Sequence, residues 1–103
     1  RNHNLGKKVL YLEYECYEAM ALKEIEIIVL SAFQKWPLHK VGVIHRVGKL
    51  EITEVAVAIA VSSAHRKDSL AAVEFIIDTL KQSVPIWKKE IFEDGTVWVS
   101  AHP

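Results

Sequence analysis

The sequence predicts an α+β fold with a mixed, mainly antiparallel sheet and two main helices. Lys8–Glu15 alternates between two faces with tyrosines and branched residues, as a strand does. Residues 66–82 repeat apolar side chains at steps of three and four, as an amphipathic helix does. Glu93–Thr96 has Asp-Gly at its centre, which favours a hairpin turn. The predicted order is strand, helix, strand, strand, helix, hairpin, which is typical of an α+β domain.

The first half of the chain is expected to form a strand, a long helix and a second strand. The helix should occupy residues 17–35, because Pro37 disfavours helical geometry in the residue before it. Val41–Val47 is the second predicted strand, and residues 48–54 form a short crossing or hairpin-like connection. The expected apolar stripe of the helix is Leu22, Ile25, Val29, Ala32, Phe33 and Trp36.

The second half is expected to contain a buried strand, the second helix and a terminal hairpin. Val55–Ser62 is almost purely Val, Ala and Ile, which predicts a central strand covered on both faces. The helix should span Arg66–Gln82 and stop before Pro85. Ile86–Phe92 and Val97–Ser100 should then pair across the turn. The expected apolar face of the second helix is Leu70, Val73, Ile77, Leu80 and Val84.

Length and composition indicate one domain covering residues 1–103. Thirteen basic residues balance thirteen acidic ones, so charge gives no reason to expect nucleic acid or an anionic membrane as a partner. The longest apolar run, Val55–Val61, is too short to span a bilayer. Cys16 is the single cysteine and excludes an internal disulfide framework, so a cytoplasmic location is expected. The first residue is Arg1 rather than methionine, which suggests further N-terminal residues in the natural protein.

Four nitrogen-bearing side chains bracket the second predicted helix. His65 and Arg66 stand at its entrance, where free N–H groups and the helix dipole favour an anion. Lys81 lies on its last turn and Lys88 follows Pro85. Such a group suits an anionic ligand or a carbonyl electrophile rather than a metal. The alternative is that each is an ordinary cap or a solvated surface charge.

Other chemistries have weaker support in the sequence. The five histidines show no ligand spacing and Cys16 has no partner cysteine, so neither a zinc site nor any other metal site is expected. Cys16 is better interpreted as a small buried hydrophobe than as a nucleophile. The four glycines are isolated, so the chain has no Gly-rich phosphate loop. No cofactor is expected.

Six motifs, in order and at matching intervals, resemble the large subunit of molybdopterin synthase, the MoaE family. The resemblance covers essentially the whole chain. It is specific because the motifs occur together, although none would be specific alone. The motifs are Arg1–Asn4, Leu12–Glu15, Trp36–Pro37, His45–Gly48, Ser62–Arg66 and Val84–Glu90.

This resemblance implies an α/β-hammerhead fold and an enzyme of molybdenum-cofactor biosynthesis. Members of the family insert two dithiolene sulfurs into cyclic pyranopterin monophosphate to give molybdopterin. The sulfur arrives as a thiocarboxylate on the C-terminal Gly-Gly tail of a small ubiquitin-like subunit of the MoaD type. The implied assembly is a central homodimer of large subunits flanked by two small ones, a heterotetramer.

The resemblance also implies roles for five residues. Lys81 and Lys88 match the two catalytic lysines of the family. His65 and Arg66 match a pair that helps build the substrate pocket and is expected to be offered across the homodimer. Arg1 matches a further substrate-binding arginine. Covalent attack and proton transfer both remain open for Lys81.

The chain departs from the family pattern at its ends. The family has a further strand region before the position of Arg1 and a basic tail after that of Pro103, and it often carries an arginine near His102. The alternative function is a non-catalytic scaffold that docks a ubiquitin-like partner. A third hypothesis, an acyl- or phosphate-handling enzyme of another pathway, rests on the cationic cluster alone.

Overall fold

The structure is a computed structural model that describes residues 2–101. Every strand pairing among these residues is antiparallel, which confirms the predicted α+β class. The helices and strands are β1 (His3–Asn4), β2 (Lys7–Cys16), α1 (Glu18–Lys35), β3 (Leu38–His45), β4 (Gly48–Glu51), β5 (Val57–Ser63), α2 (Arg66–Ser83), β6 (Ile86–Phe92) and β7 (Val97–Ser100).

The larger sheet is built around β2. This strand pairs with β1, β4 and β6, and β6 pairs in turn with β7. The register places Leu12 opposite Glu90 and Tyr14 opposite Lys88. A register shift between Val9 and Tyr11 interrupts the β2–β6 ladder, and such irregularities bend a strand and change the direction of its side chains. Lys88 therefore lies on a face of the sheet that is formed by side chains of β2 and β6.

The smaller sheet contains only β3 and β5, and it corrects the prediction for residues 55–62. That segment was expected to be a central strand covered on both faces, but Ala58, Ala60 and Ser62 are exposed. α2 packs against β5 and covers one face. Two strands and one helical layer cannot cover both faces, so the small residues of β5 point outward.

The core side of α1 differs in part from the predicted stripe. Ala21, Ile28 and Ala32 are its buried residues, whereas Leu22 is 61% and Phe33 39% exposed. The predicted stripe was correct at Ala32, and at Ile25 and Trp36, which pack against the core cluster. Small residues allow α1 to approach its neighbours closely, and sequence hydrophobicity overestimates how deeply the larger ones are buried.

The core side of α2 is likewise rotated relative to the prediction. Ala72, Ile76 and Leu80 are buried, whereas Leu70 is 66% exposed. These buried residues recur every four positions and lead into Val84, which has no exposed surface. Leu80 and Val84 were predicted correctly.

The connections explain the remaining differences. The second strand begins directly after Pro37 rather than at Val41. Within the predicted crossing or hairpin-like connection at residues 48–54, residues 48–51 form the strand β4, which pairs with β2. The predicted hairpin is confirmed: Gly95 has φ +84°, a conformation that glycine adopts without steric cost. Neither helix within residues 2–101 has the length and apolar character needed to cross a membrane.

Candidate active site

Lys81 lies where α2 ends and the chain turns into β6. The helix ends at Ser83, and the N–H of the C-cap residue Val84 donates to the carbonyl of Leu80 at 3.2 Å. Pro85 follows and β6 begins one residue later. Lys81 is exposed in the last turn of the helix, where a positive charge interacts favourably with the helix dipole. Its ammonium group is thus available to a ligand at this end of the helix.

Lys88 is held on β6 by a buried carboxylate. Its Nζ lies 3.5 Å from Oε1 of Glu90, and the two side chains are 21% and 2% exposed. Glu90 is the one buried charged residue among residues 2–101. An ionised carboxylate in such a place needs cationic or hydrogen-bonding partners to offset its lost hydration. Glu90 therefore fixes the direction in which Lys88 points.

Two further polar side chains belong to the surroundings of Glu90. The amide of Asn4 donates a hydrogen bond from Nδ2 to Glu90 Oε2. Tyr14 stands opposite Lys88 on β2, and burial together with the negative charge of Glu90 raises its pKa. Tyr14 therefore keeps its proton at neutral pH. Lys88 and Glu90 thus lie in one polar cluster with Asn4 and Tyr14.

Lys89 belongs to the opposite face of the same strand. Its Nζ makes an ion pair of 3.1 Å with Glu15 Oε1, and that carboxylate is 61% exposed. An exposed pair of this kind contributes little to stability. Because side chains alternate between the two faces of a strand, only Lys88 of the two adjacent lysines lies on the same face as Glu90.

His65 and Arg66 lie at the other end of α2. His65 is the N-cap residue, and its side chain makes no capping hydrogen bond. Its carbonyl oxygen instead accepts a hydrogen bond of 2.6 Å from the hydroxyl of Ser63. Both side chains are exposed at a helix terminus that favours negative charge. This terminus has the features expected of a contact for an anionic ligand.

Arg66 and Lys81 do not meet within one chain. Arg66 and Lys81 are fifteen residues apart on one continuous helix. A rise of about 1.5 Å per residue separates their backbones by about 22 Å along the axis. A single small ligand cannot bridge that distance, so a site using both pairs needs a second copy of the chain. Arg1 and His102 lie outside the described residues.

Two clefts in the structure lie away from the candidate basic residues. Two adjoining clefts of about 370 and 430 Å³ run between α1 and β3, and both are lined by Leu22, Ile25 and Val43. None of the four candidate basic residues lines them. Cys16 borders the first cleft, and burial, reinforced by Glu18, raises the pKa of its thiol. Cys16 is therefore a poor nucleophile, as expected.

The adjacent pair His45 and Arg46 contacts other residues of the same chain. Residues 2–101 contain no group of three or more His, Cys, Asp or Glu side chains able to hold a metal ion. His45 packs edge-on against Tyr14, with ring centroids 5.0 Å apart, and its Nδ1 lies 2.7 Å from the carbonyl oxygen of Arg46. Arg46 pairs with Glu54 at 3.0 Å. Both residues make intrachain structural contacts.

Sequence reasoning missed the roles of Glu90 and Asn4. A signal for Glu90 was present: Ile86, Lys88, Glu90 and Phe92 share one face of a strand, and the flanking Ile86 and Phe92 are buried. A carboxylate between buried positions requires a partner. No local pattern links Asn4 to Glu90, because 86 residues separate them in sequence.

The fold and the basic residues define an α+β domain with cationic side chains at both ends of one helix. Comparison with known proteins identifies the family: residues 1–83 match the model described as MoaE protein, and the chain belongs to the MoaE family. The human molybdopterin synthase catalytic subunit is 52% identical over 98 residues, covering 95% of this chain and 52% of that protein. The corresponding subunit of Taeniopygia guttata is 56% identical over 99 residues, covering 95% and 64%.

Solved structures agree with this assignment. The X-ray crystal structure of molybdopterin synthase from Staphylococcus aureus matches with a TM-score of 0.93 and 46% identity, covering 99% of this chain and 74% of that one. The molybdopterin biosynthesis MoaE protein from Burkholderia ambifaria matches with a TM-score of 0.79 and 38% identity, covering 92% and 65%. The chain spans about half to two thirds of the length of the two relatives named above.

Proposed function

We propose that this protein is the catalytic subunit of a molybdopterin synthase. It converts cyclic pyranopterin monophosphate to molybdopterin by inserting two dithiolene sulfurs. A small ubiquitin-like subunit of the MoaD type supplies each sulfur as a C-terminal thiocarboxylate. The observation that carries this proposal is the match to proteins named molybdopterin synthase catalytic subunit over 95% of this chain, at 52% and 56% identity.

The lysine end of α2 is the proposed chemical centre. Each thiocarboxylate sulfur bonds to a carbon of the substrate as an oxygen leaves that carbon, and water then cleaves the acyl–sulfur bond, so that the tail departs as a carboxylate. The leaving oxygen and the attacking water must therefore gain or lose protons. Lys81 is exposed and Lys88 is held by Glu90, and ammonium groups in such positions donate protons and stabilise developing negative charge. Lys81 and Lys88 are therefore the proposed catalytic residues.

The opposite end of α2 is the proposed substrate-binding end. His65 and Arg66 present N–H donors at a helix N-terminus, which suits the cyclic phosphate of the substrate. Arg1 is the third proposed substrate-binding residue, on the strength of its family match. Because about 22 Å separates the two ends of the helix, His65 and Arg66 of one copy hold the substrate for Lys81 and Lys88 of another copy. A homodimer bearing two small subunits meets this requirement.

Two further proposals concern organisation and location. Residues 1–103 are proposed to form one synthase domain, because both helices and both sheets share one hydrophobic core. A cytoplasmic location is proposed, because the partner chemistry depends on a free thiocarboxylate and Cys16 is a free thiol.

Reconstitution tests the function directly. The protein is mixed with thiocarboxylated small subunit and cyclic pyranopterin monophosphate, and molybdopterin is quantified. Lys81→Ala and Lys88→Ala are each expected to lower turnover at least ~100-fold, within the range for loss of a general acid or base. Lys89→Ala is the matched control, because it removes the neighbouring lysine from the opposite face, and it should remain within about twofold of wild type.

The outcomes separate the hypotheses. Product from wild type together with both losses supports the enzyme and the site. Wild-type turnover with unaffected lysine variants keeps the enzyme and rejects the site. A stable complex with the small subunit but no product favours the scaffold, whereas turnover of another phosphate or acyl substrate without the small subunit favours the third hypothesis.

A further inference from the structure

Tyr14 combines a buried ring with a hydroxyl group that reaches the surface. The residue is 7% exposed, and its ring packs edge-on against His45 with the ring centroids 5.0 Å apart. Among residues 2–101, every buried side-chain nitrogen or oxygen has a hydrogen-bond partner, whereas the Tyr14 hydroxyl makes no hydrogen bond to any of these residues. The hydroxyl oxygen is therefore in contact with solvent, and its proton is available to a ligand.

The register of the sheet places this hydroxyl on the same face as Lys88. Tyr14 and Lys88 stand directly opposite each other on β2 and β6, so their Cβ atoms lie about 4.5–5.5 Å apart on one face. Lys88 Nζ lies 3.5 Å from Glu90 Oε1, and the negative charge of Glu90 also acts on Tyr14. The phenol and the ammonium group thus lie on the same side of the sheet, around one carboxylate.

The hydroxyl of Tyr14 is a hydrogen-bond donor at neutral pH. Burial, together with the charge of Glu90, raises the pKa of Tyr14 above its ordinary value of 10.0, so the phenol keeps its proton. A fixed neutral donor beside a lysine stabilises an oxygen that gains negative charge during a reaction. The proposed reaction contains such an oxygen, because the acyl oxygen of the tail becomes an oxyanion when water attacks the acyl carbon.

We propose that Tyr14 is a further catalytic residue and donates a hydrogen bond to the acyl oxygen of the small subunit's tail. Water adds to the acyl carbon and the carbon–sulfur bond breaks. The sulfur stays on the substrate as a thiolate, the tail departs as a carboxylate, and two protons are released. Tyr14 keeps its own proton throughout and stabilises the oxyanion. This assignment rests on the proposed function, because that proposal brings the tail to Lys88.

Tyr14→Phe removes the hydroxyl and keeps the ring that packs against His45. This variant is expected to lower kcat at least ~100-fold, as loss of one oxyanion donor does, and to leave KM for cyclic pyranopterin monophosphate within about twofold. The ratio of the wild-type kcat to that of the variant should stay constant between about pH 6 and 9, because the phenol remains protonated there. An unchanged kcat, or a rise in KM alone, would overturn the proposal.

Tyr11→Phe is the matched control for these kinetics. Tyr11 belongs to the same strand as Tyr14 but lies on its opposite face, where Lys49 Nζ is 4.4 Å from the centroid of its ring. Loss of this hydroxyl should leave kcat within about twofold of wild type, because its face of the strand does not carry Lys88. Equal losses in both variants would show that the effect does not come from the site.

A second measurement tests the contact without turnover. The chain has three tyrosines, Tyr11, Tyr14 and Tyr17, which are labelled with ¹³C at Cζ, and Tyr14→Phe assigns the Tyr14 resonance. The small subunit is added to saturation in its ordinary carboxylate form, with and without its last two glycines. The full tail should shift the Tyr14 resonance and the shortened tail should not, because only the full tail reaches the hydroxyl. An equal response to both forms would overturn the contact.

The combined outcomes separate the role of Tyr14 from the proposed function. Product from wild type with an unaffected Tyr14→Phe keeps the proposed function and rejects Tyr14 as a catalytic residue. A complex that shifts the Tyr14 resonance but makes no product rejects the proposed function and the catalytic role, and supports the contact with the tail. The absence of both product and complex rejects the proposed function and the contact together.

Discussion

Pairing two inactive variants in one dimer should restore activity. Lys81→Ala and Arg66→Ala affect opposite ends of α2, about 22 Å apart, so in a homodimer each variant damages both sites. A heterodimer containing one copy of each has one site with both defects and one site with neither. If each homodimer falls to about 1% of wild type, the purified heterodimer should reach about half of wild-type turnover.

The assay uses two affinity tags to isolate the heterodimer after co-expression, followed by molybdopterin quantification with excess thiocarboxylated small subunit. The matched control is a heterodimer of Lys81→Ala with Lys88→Ala. Both changes lie at the lysine end, so each of its two sites keeps one defect and it should stay near the level of the homodimers. Turnover near 1% for the Lys81→Ala and Arg66→Ala pair would refute a site shared between copies, and recovery in the control would show that it comes from something other than the geometry of α2.

Three further predictions concern stability. Leu5→Asn should raise the free energy of unfolding by about 0.5–1 kcal/mol in a urea titration, because Leu5 is 61% exposed and has φ +54°, a conformation that asparagine tolerates better; a loss of stability would contradict this. Ile76→Ala should lower it by about 2–5 kcal/mol, because the side chain is fully buried, whereas Leu70→Ala on the same helix should change it by less than about 0.5; similar losses for both would refute the helix orientation. Hydrogen bonds from Thr96 lower the pKa of Asp94 to about 2, below its ordinary value of 3.8, so the stability it contributes is present above pH 3.8 and is lost as pH falls through 2. Asp94→Asn should therefore be less stable than wild type near pH 7, with a difference in thermal midpoint that shrinks as pH falls and disappears below about pH 2. A difference in thermal midpoint that stays constant with pH would show that the titration of Asp94 does not contribute.

Elements with local signals were the ones that the sequence predicted well. Pro37 and Pro85 end their helices through their own stereochemistry, and Asp94-Gly95 forms the expected turn. The strand Ile86–Phe92 has the predicted bounds, and strand alternation alone places Lys88 and Lys89 on opposite faces. In each case the physical cause lies within a few residues of the feature.

Burial was less predictable because it depends on what the rest of the chain supplies. Val55–Ser62 has the composition of a strand covered on both faces, yet the sheet that contains it has two strands and leaves Ala58 and Ala60 exposed. Leu70 fits the apolar period of α2, but the core lies on the side of Ala72 and Ile76. The spacing of the apolar residues of α2 fits more than one possible buried face, and packing of the helix against β5 decides which face is buried.

The sequence by itself determined the class of fold, the ends of the helices and the basic residues that stand at each end of α2. Local propensity, proline and glycine stereochemistry and strand alternation suffice for these, because each acts over short stretches of chain. Only the tertiary structure decided that Glu90 is buried beside Lys88 and that Asn4, 86 residues away in sequence, donates to it. It also decided that one helix holds Arg66 and Lys81 too far apart for a common site in one chain. Long-range contacts of this kind depend on the complete path of the backbone, and a local pattern of residues does not contain that path.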